Sequence, residues 1–355
     1  EHRHWNRNQY RNRNWNEHRD RDWYEHWHRN GHWYHEYPDA LMAKNETKET
    51  RPSSGRRVSA LRKRETLAAL LFISPWLIGF LVFTLGPMLA SLYLSFTNYD
   101  VLSSPSFVGL DNYSRLIDDP KVTKSLFNSF FYTVLHVPLS IFVSLALAML
   151  LNSVKRVAGF FRTIFYLPSI TPAVAIGTLW LWLLNPRVGL VNRGLELIGI
   201  NGPAWTSDPN WVKPGIVLMS LWSLGTTIII YLAALQDVPK EMYEAAQLDG
   251  ASTWQQFTKI TLPMISSVIF FTVIVNTIAS IQIFTEVYTM YFGSMNATSA
   301  TDSALFYVIY LFRTAFEYLR MGYASAMAWV LFAIILILTI VQMRLSKRWV
   351  YYEGE

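Results

Sequence analysis

Long apolar runs separated by short polar breaks fill the chain from Thr66 onward, and six of them reach the roughly 20 residues that a membrane-crossing helix needs. They lie at about Thr66–Tyr93, Leu126–Leu151, Phe161–Leu184, Pro214–Leu235, Pro263–Phe292 and Tyr323–Met343. The first carries Pro75, Gly79 and Gly86-Pro87, which membrane helices tolerate better than soluble ones. Pro168 and Pro172 predict a bend in the third. A further apolar stretch, Ser303–Leu319, reads as a re-entrant or outer interfacial helix. Trp205 and Trp211, in the polar loop Asn185–Lys213, fit the aromatic belt of a membrane interface, as do Tyr291, Tyr318 and Tyr323.

The longest turn-containing polar break of the C-terminal half is Pro239–Pro263, PKEMYEAAQLDGASTWQQFTKITLP. It reads as two short helices meeting at a glycine. Pro239 suits a first helical position, and Glu241 follows in the first turn beside the positive end of the helix dipole. Gly250 can take the left-handed conformation that stops this helix. Ser252 and Gln255 have capping-box spacing for a second one. Trp254 and Phe257 share one side of it, and Pro263 opens the next apolar run. Such an elbow between two spans has the shape of a docking surface.

Composition agrees with a polytopic membrane protein. Of 355 residues, 52% are hydrophobic and only 16% charged, against roughly 25% charged in soluble domains. The formal charge of +6 is no evidence for nucleic-acid binding, because the basic residues sit mostly beside the apolar runs. There is no cysteine, hence no disulfide frame, thiol nucleophile or cysteine-based zinc site. The basic run RRVSALRKR before the first span, and RLSKR after the sixth, place both chain ends on the cytoplasmic side. With six crossings the elbow is cytoplasmic as well. Residues 1–65 form a basic N-terminal segment expected to be disordered. Within it, residues 1–41 are built from His, Arg, Asn, Trp, Tyr, Glu and Asp without periodicity and are excluded from the fold. The His2/His4 and His26/His28 pairs raise metal binding, but no spacing repeats, and no metal site is assigned. The plainer reading makes Met42 the true start.

Few motifs carry chemistry. No G-x-x-x-x-G-K-[ST] phosphate loop is present, and no G-x-S-x-G, H-E-x-x-H or paired-carboxylate motif lies in a span, which argues against an enzyme. His136 is the one histidine within a span and reads as a hydrogen-bonded helix–helix contact rather than a proton relay. Asn45, Asn112 and Asn296 match N-x-[ST], a pattern common by chance. The fifth span is the polar one. Thr272, Asn276 and Ser280 share one helical stripe, and Gln282 and Glu286 form a second. Polar groups at bilayer depth must pair or face water, so Asn276, Ser280, Gln282 and Glu286 are candidates for lining a solute pathway. The alternative is that Asn276 and Gln282 only bond neighbouring helices.

From Glu244 the chain reads E-A-A, three residues, Gly250, nine residues, then I-T-L-P at Ile260–Pro263. This resembles, at every fixed position, the EAA loop of the membrane subunits of bacterial ABC importers. FVGLDNY (Phe107–Tyr113), GFFRTIFYLP (Gly159–Pro168), LAALQDVPKEMYEAAQLDGA (Leu232–Ala251) and MGYASAMAWVLF (Met321–Phe332) are similar to segments of the sugar-importer, maltose-transporter-like branch. The resemblance covers about Thr66–Arg348. It departs after the fifth span, where MYFGSMNATSAT replaces the family's frequent T-x-G-G-P turn.

The resemblance implies an all-α membrane protein with six transmembrane helices and the ABC importer permease (MetI-like) fold, its transmembrane domain spanning 66–348 with the coupling loop at 239–263. It implies a permease subunit for carbohydrate uptake, working with a second and different permease subunit, a pair of ATPase subunits that use the ATP, and an extracytoplasmic solute-binding protein. No cofactor is expected on this chain, which would lie multi-pass in a bacterial inner membrane. Glu244, Ala245, Ala246, Asp249, Gly250, Trp254, Phe257 and Pro263 would couple to the ATPase. Glu244 would meet a basic residue there, Gly250 would set the angle, and Trp254 and Phe257 would anchor the elbow in the span base or the ATPase cleft. A glycerol-phosphate-like cargo is the alternative within this class. It would want Arg or Lys along the pathway, and Arg313 and Arg320 are the candidates. A secondary transporter or channel fits less well, since the spans are nearly free of charge and show no clear repeat.

Overall fold

The computed structural model describes residues 55–154, 158–293 and 301–351, with side chains from Arg62 onward. The expectations for the histidine-rich segment, for Met42 and for most of the MYFGSMNATSAT loop lie outside the described residues. The chain divides into two compact units, residues 1–74 and 75–355. The described part of the first is the start of helix α1 (Gly55–Phe80), so the basic run is helical instead of a disordered lead-in. There the Thr66 hydroxyl donates to the Arg62 carbonyl at 2.7 Å, which satisfies it within the helix.

In the second unit α1 passes through a wider π-type turn, Leu81–Leu85, into α2 (Gly86–Ser95). Strand β1 (Thr97–Asn98) then pairs antiparallel with β2 (Ser106–Phe107), with Thr97 opposite Phe107. The FVGLDNY segment acts as a clasp. Gly109, at φ +61°, turns the chain into α3 (Asp111–Asp118). Asn112 is buried, and its Nδ2 donates to the carbonyls of Ser95 (2.9 Å) and Thr97 (2.8 Å). The Tyr113 hydroxyl donates to Ser95 Oγ at 2.8 Å. Asn112 is therefore a structural anchor, and its N-x-[ST] match is coincidental.

Helix α4 (Pro120–Ser153) begins well before the expected Leu126. Asp119 caps it by accepting the Lys121 N–H at 2.8 Å, and Pro120 takes the first helical position. After α4 come α5 (Ala158–Tyr166) and α6 (Ala173–Leu183), then α7 (Leu190–Leu197). Next follow α8 (Val212–Trp222), α9 (Gly225–Asp237), α10 (Lys240–Leu248) and α11 (Thr253–Gln256). The last are α12 (Ser266–Ile281), α13 (Thr285–Tyr291), α14 (Tyr307–Phe312) and α15 (Met321–Ser346).

Four stretches are long and apolar enough to cross a membrane: Arg62–Ser95, Pro120–Ser153, Ser266–Tyr291 and Met321–Ser346. Two bent pairs, Gly159–Ile170 with Ala173–Leu183 and Val212–Trp222 with Gly225–Asp237, bring the spans to six if each pair is one. The third span bends where Pro168 and Pro172 predict it, by 100°, so that it is broken in two. Thr171 is extended there, and Pro172 has no N–H to continue the ladder. The fourth is bent by 53° at a place the sequence left straight. A Cβ on Gly225 would stand 2.4 Å from the Phe165 carbonyl, so only glycine lets α9 approach α5 this closely. The fifth breaks at Gln282–Phe284, between α12 and α13.

Two apolar cores organise the second unit. One, beside the elbow, holds Leu145, Leu151, Tyr231, Leu232, Val238 and Ile265. The other, toward the opposite end, holds Trp180, Leu184, Ile216, Met290, Tyr291, Phe306 and Tyr307. Tyr291 is thus buried in the core and is no belt residue. Of the two readings of Ser303–Leu319, the interfacial helix does not fit its first half. Phe306, Tyr307 and Ile309 are fully buried, with α14 packed against α4 and α15. Ser129 Oγ accepts the Tyr307 N–H at 3.0 Å, and Asn128 Nδ2 donates to the carbonyls of Asp302 and Leu305.

Asp119 ties these elements together. Its Oδ2 accepts the hydroxyls of Tyr310 (2.6 Å) and Tyr323 (2.9 Å), which makes Tyr323 a clasp residue instead of a belt aromatic. Burial alone would raise its pKa. The hydrogen bonds from Tyr310, the Lys121 N–H and Tyr323 outweigh that and hold the carboxyl below the ordinary carboxylate range. Its stabilising contribution is therefore complete above the unfolded-state pKa of about 4 and is lost as pH falls through the lower folded value. At neutral pH a substitution is the sharper probe. Asp119→Ala should destabilise the protein by about 2–4 kcal/mol, since hydrogen bonds to a charged acceptor contribute about 1.5–3 kcal/mol each and are not additive. Thermal unfolding of the purified protein checks this, and an unchanged midpoint would contradict the clasp.

Candidate functional sites: an exposed elbow and a polar cavity

The elbow has the predicted turn chemistry almost atom for atom. Helix α10 begins directly after Pro239, which caps it instead of occupying its first turn, and Glu241 lies in that turn. At the other end Gly250 sits at φ +76°. The Gly250 N–H reaches the Gln247 carbonyl (3.0 Å) and the Ala251 N–H the Ala246 carbonyl (2.9 Å), the two bonds of a Schellman stop. Ser252 then caps α11 in a full capping box. Its N–H donates to Gln255 Oε1 (2.8 Å), and its Oγ accepts the Gln255 N–H (3.3 Å). The helix continues through a π-type turn, Phe257–Thr261, to Leu262–Met264. Pro263 thus lies inside the elbow's second arm, and the fifth span starts only at Ser266. A hydrogen bond of 2.8 Å between the Tyr243 and Thr261 hydroxyls braces one arm against the other.

The elbow residues divide into two sets. Glu244, Ala245, Asp249 and Gly250 are exposed, and Trp254 is 70% exposed. Ala246, Phe257 and Pro263 are half-buried, and Phe257 packs against the elbow-end core. The aromatic pair therefore splits, although the rings stay 5.6 Å apart: Phe257 fastens the elbow to the span base and Trp254 faces out. Leu248, 90% exposed beside Asp249, completes the outward face. It is not among the coupling residues that the resemblance implies. A leucine directly before the helix stop, on an otherwise polar arm, was the available signal.

The second site is a cavity of about 340 Å³, the size of a small-ligand pocket. All four predicted pathway residues, Asn276, Ser280, Gln282 and Glu286, line it. They do so by a different geometry from the predicted stripes. The break at Gln282–Phe284 puts Gln282 at the end of α12 and Glu286 in the first turn of α13. Thr272 stays outside, buried and hydrogen-bonded to the Tyr231 hydroxyl. From α4, His136 makes the expected helix–helix contact, Nδ1 to Ser280 Oγ at 2.9 Å, and its ring stacks on Tyr132 at 5.1 Å. Tyr132 in turn bonds Ser220 Oγ at 2.7 Å. Ser223 and Thr227, around the bend of the fourth span, complete the polar lining. The signal for these residues was present: Ser220, Ser223 and Thr227 recur at spacings of three and four. His136 Nε2 and Asn276 Nδ2 are buried without a protein hydrogen-bond partner among the described residues, so the cavity has unused polar capacity.

Neither candidate phosphate-binding arginine lines the cavity. Arg313 Nε pairs with Glu317 Oε2 at 2.6 Å, with its guanidinium over the rings of Phe292 and Tyr318. Arg320 lines a separate cleft with Asn98, Arg115 and Asp119. Among the described residues no group of three His, Asp or Glu side chains could hold a metal ion.

A profile of the binding-protein-dependent transport system inner membrane component family matches residues 137–351, more than half of the chain. The chain belongs to this family. It is a permease subunit of the ABC importer type, with the helical fold expected of that class. The probable ABC transporter permease protein YesP of Bacillus subtilis is 39% identical to it over 82% of this chain and 94% of that protein. The lactose transport system permease protein LacF of Rhizobium radiobacter is 34% identical over 80% of this chain and 95% of that one. A crystal structure of a bacterial ABC transporter involved in the import of the acidic polysaccharide alginate matches with a TM-score of 0.70 and 25% identity, over 82% of this chain and 99% of that one.

In this permease the short helices that follow the breaks of the third and fifth spans, α6 and α13, pack directly on one another. Gly177 is the point of contact: a Cβ there would stand 2.7 Å from the Glu286 carbonyl and 3.1 Å from Thr289 Cβ. Gly177→Val should therefore push α13 away and distort the cavity, at about 1–3 kcal/mol for overpacking. Gly194→Val is the control, since a Cβ there meets nothing within 4 Å. Thermal unfolding and solute uptake should both suffer in the first variant only; equal behaviour of the two would refute the contact.

Proposed function

We propose that this permease forms part of the translocation pathway for a carbohydrate and that its elbow couples this pathway to separate ATPase subunits. The exposed elbow carries the proposal. Glu244, Leu248, Asp249 and Trp254 form an outward face that none of the described residues covers, on arms held rigid by a Schellman stop, a capping box and the Tyr243–Thr261 bond. In this reading Ala245, Ala246 and Gly250 shape the docking surface, while Phe257 and Pro263 transmit its movement to the span base. The chain contributes no ATPase site and binds no cofactor, and ATP is spent by the partner. A second, different permease subunit completes the pathway, and an extracytoplasmic solute-binding protein delivers cargo to it. The transmembrane domain runs over 66–348 in a bacterial inner membrane, with both termini and the elbow on the cytoplasmic side. Asn276, Ser280, Gln282 and Glu286 contact the solute as it passes.

Sugar cargo is supported by relatives such as the lactose permease. Relationship alone leaves the charge of that sugar open, because one solved neighbour takes part in import of an acidic polysaccharide. Coupling is tested at Gly250. A β-branched residue at its positive φ is strained by roughly 1–2 kcal/mol and would re-aim the second arm, although no neighbouring atom obstructs the side chain. Gly250→Val should leave the protein in the membrane and assembled, yet abolish ATPase stimulation by the loaded solute-binding protein. Full stimulation in that variant would refute the coupling assignment.

A further inference from the structure

The cavity has an unusual charge balance for a solute site. Its lining offers hydroxyls from Tyr132, Ser220 and Ser280, side-chain amides from Asn276 and Gln282, and one carboxylate, Glu286. Among the described residues no arginine or lysine lines it. Cations on neighbouring elements are engaged elsewhere: Arg313 with Glu317, and Lys213 with Asn128 Oδ1 at 3.2 Å and the face of Phe131. The carboxylate is held in place through its backbone, where α13 rests on Gly177.

We infer that Glu286 is a charge filter, so that this permease passes uncharged saccharides and rejects those bearing carboxylate, sulfonate or phosphate groups. The inference rests on reading the cavity as part of a carbohydrate pathway. A neutral saccharide presents hydroxyls that both donate and accept. The cavity matches them, since the Glu286 carboxylate and the amide oxygens accept while Asn276 Nδ2 and the hydroxyls donate. An anionic solute would enter partly desolvated, with no cation to pair with and a fixed like charge facing it. At about 6 Å separation and an effective dielectric of about 20, that repulsion amounts to roughly a hundredfold discrimination. The glycerol-phosphate alternative fails on the same ground.

The test uses the complete transporter, purified with its partner subunits and without the solute-binding protein, so that the pathway alone selects. Saturation-transfer NMR compares lactose and maltotriose with digalacturonate and trigalacturonate. The neutral sugars should give signal and the uronates at least roughly tenfold less, with the ratio closing toward one in Glu286→Gln and inverting in Glu286→Arg. Equal signals in the wild type, or a ratio that Glu286→Gln leaves unchanged in an assembled complex, would overturn the filter while leaving the carbohydrate reading intact. No signal from either neutral sugar, with the transporter assembled, would overturn the carbohydrate reading and the filter together. If Glu286→Gln does not assemble, the wild-type ratio alone still decides.

Discussion

A backbone that leaves its helix within a membrane must find new hydrogen-bond partners, because the surrounding hydrocarbon supplies none. That constraint explains most of this architecture. Three of the spans break, at Thr171–Pro172, at Ser223–Leu224 and at Gln282–Phe284. Each break is closed by short local bonds. The Thr171 N–H reaches the Pro168 carbonyl, the Ser223 N–H the Ser220 carbonyl, and the Gln282 N–H the Ile278 carbonyl. Ser223, Leu224, Gln282, Ile283 and Phe284, from two of the breaks, all line the cavity, and Ile176 lies just past the third. Irregular backbone is tolerated where it borders a polar space enclosed by protein, and here it creates that space.

The two ends of the bundle are held by different physics. At the elbow end the core is mostly aliphatic, around Tyr231, and packs Phe257, Ile260 and Leu262 against Leu145, Leu232 and Ile265. At the other end polar side chains hold the connections: the buried Asn112 on the end of α2, the buried Asn128 and Ser129 on the lead-in to α14, and the half-buried Asp119 on two tyrosines. Polar groups withdrawn from water in this way specify geometry, because each is costly unless its partners stay in place.

How much was legible in the sequence follows from the range of each interaction. The elbow was readable almost to the atom because Gly250, Ser252 and Gln255 act on residues within one turn of themselves. Six apolar runs were readable because span length is a composition signal. The bend of the fourth span was not, since Gly225 matters through the Phe165 carbonyl, far away in sequence. Nor was the break at Gln282–Phe284, where no proline or glycine marks it. The four candidate residues of the fifth span therefore border one cavity, but not as the two stripes that helical spacing implied. For Ser303–Leu319 hydropathy left a re-entrant and an interfacial helix open, and Asn128 and Ser129, distant in sequence, draw its first half into the core.

The elbow and the cavity are joined by two helices. Helix α9 runs from Gly225, beside the cavity-lining Ser223 and Leu224, to Asp237 just before the elbow. Helix α12 runs from Ser266, just after the elbow, to Ile281, and carries Asn276 and Ser280 near its far end. At 1.5 Å per residue each is a rod of roughly 20 Å, long enough to connect the two sites without a joint between. Midway, the Tyr231 hydroxyl is hydrogen-bonded to Thr272 Oγ1, so the rods are cross-linked where shear between them would be greatest. On the proposed coupling, a displacement of the elbow is carried as a rigid-body movement to two walls of the cavity at once. The breaks at Ser223–Leu224 and Gln282–Phe284 then sit where the rods end, as hinges beside the solute. The same breaks that place Glu286 at the cavity therefore also decide where the movement is released.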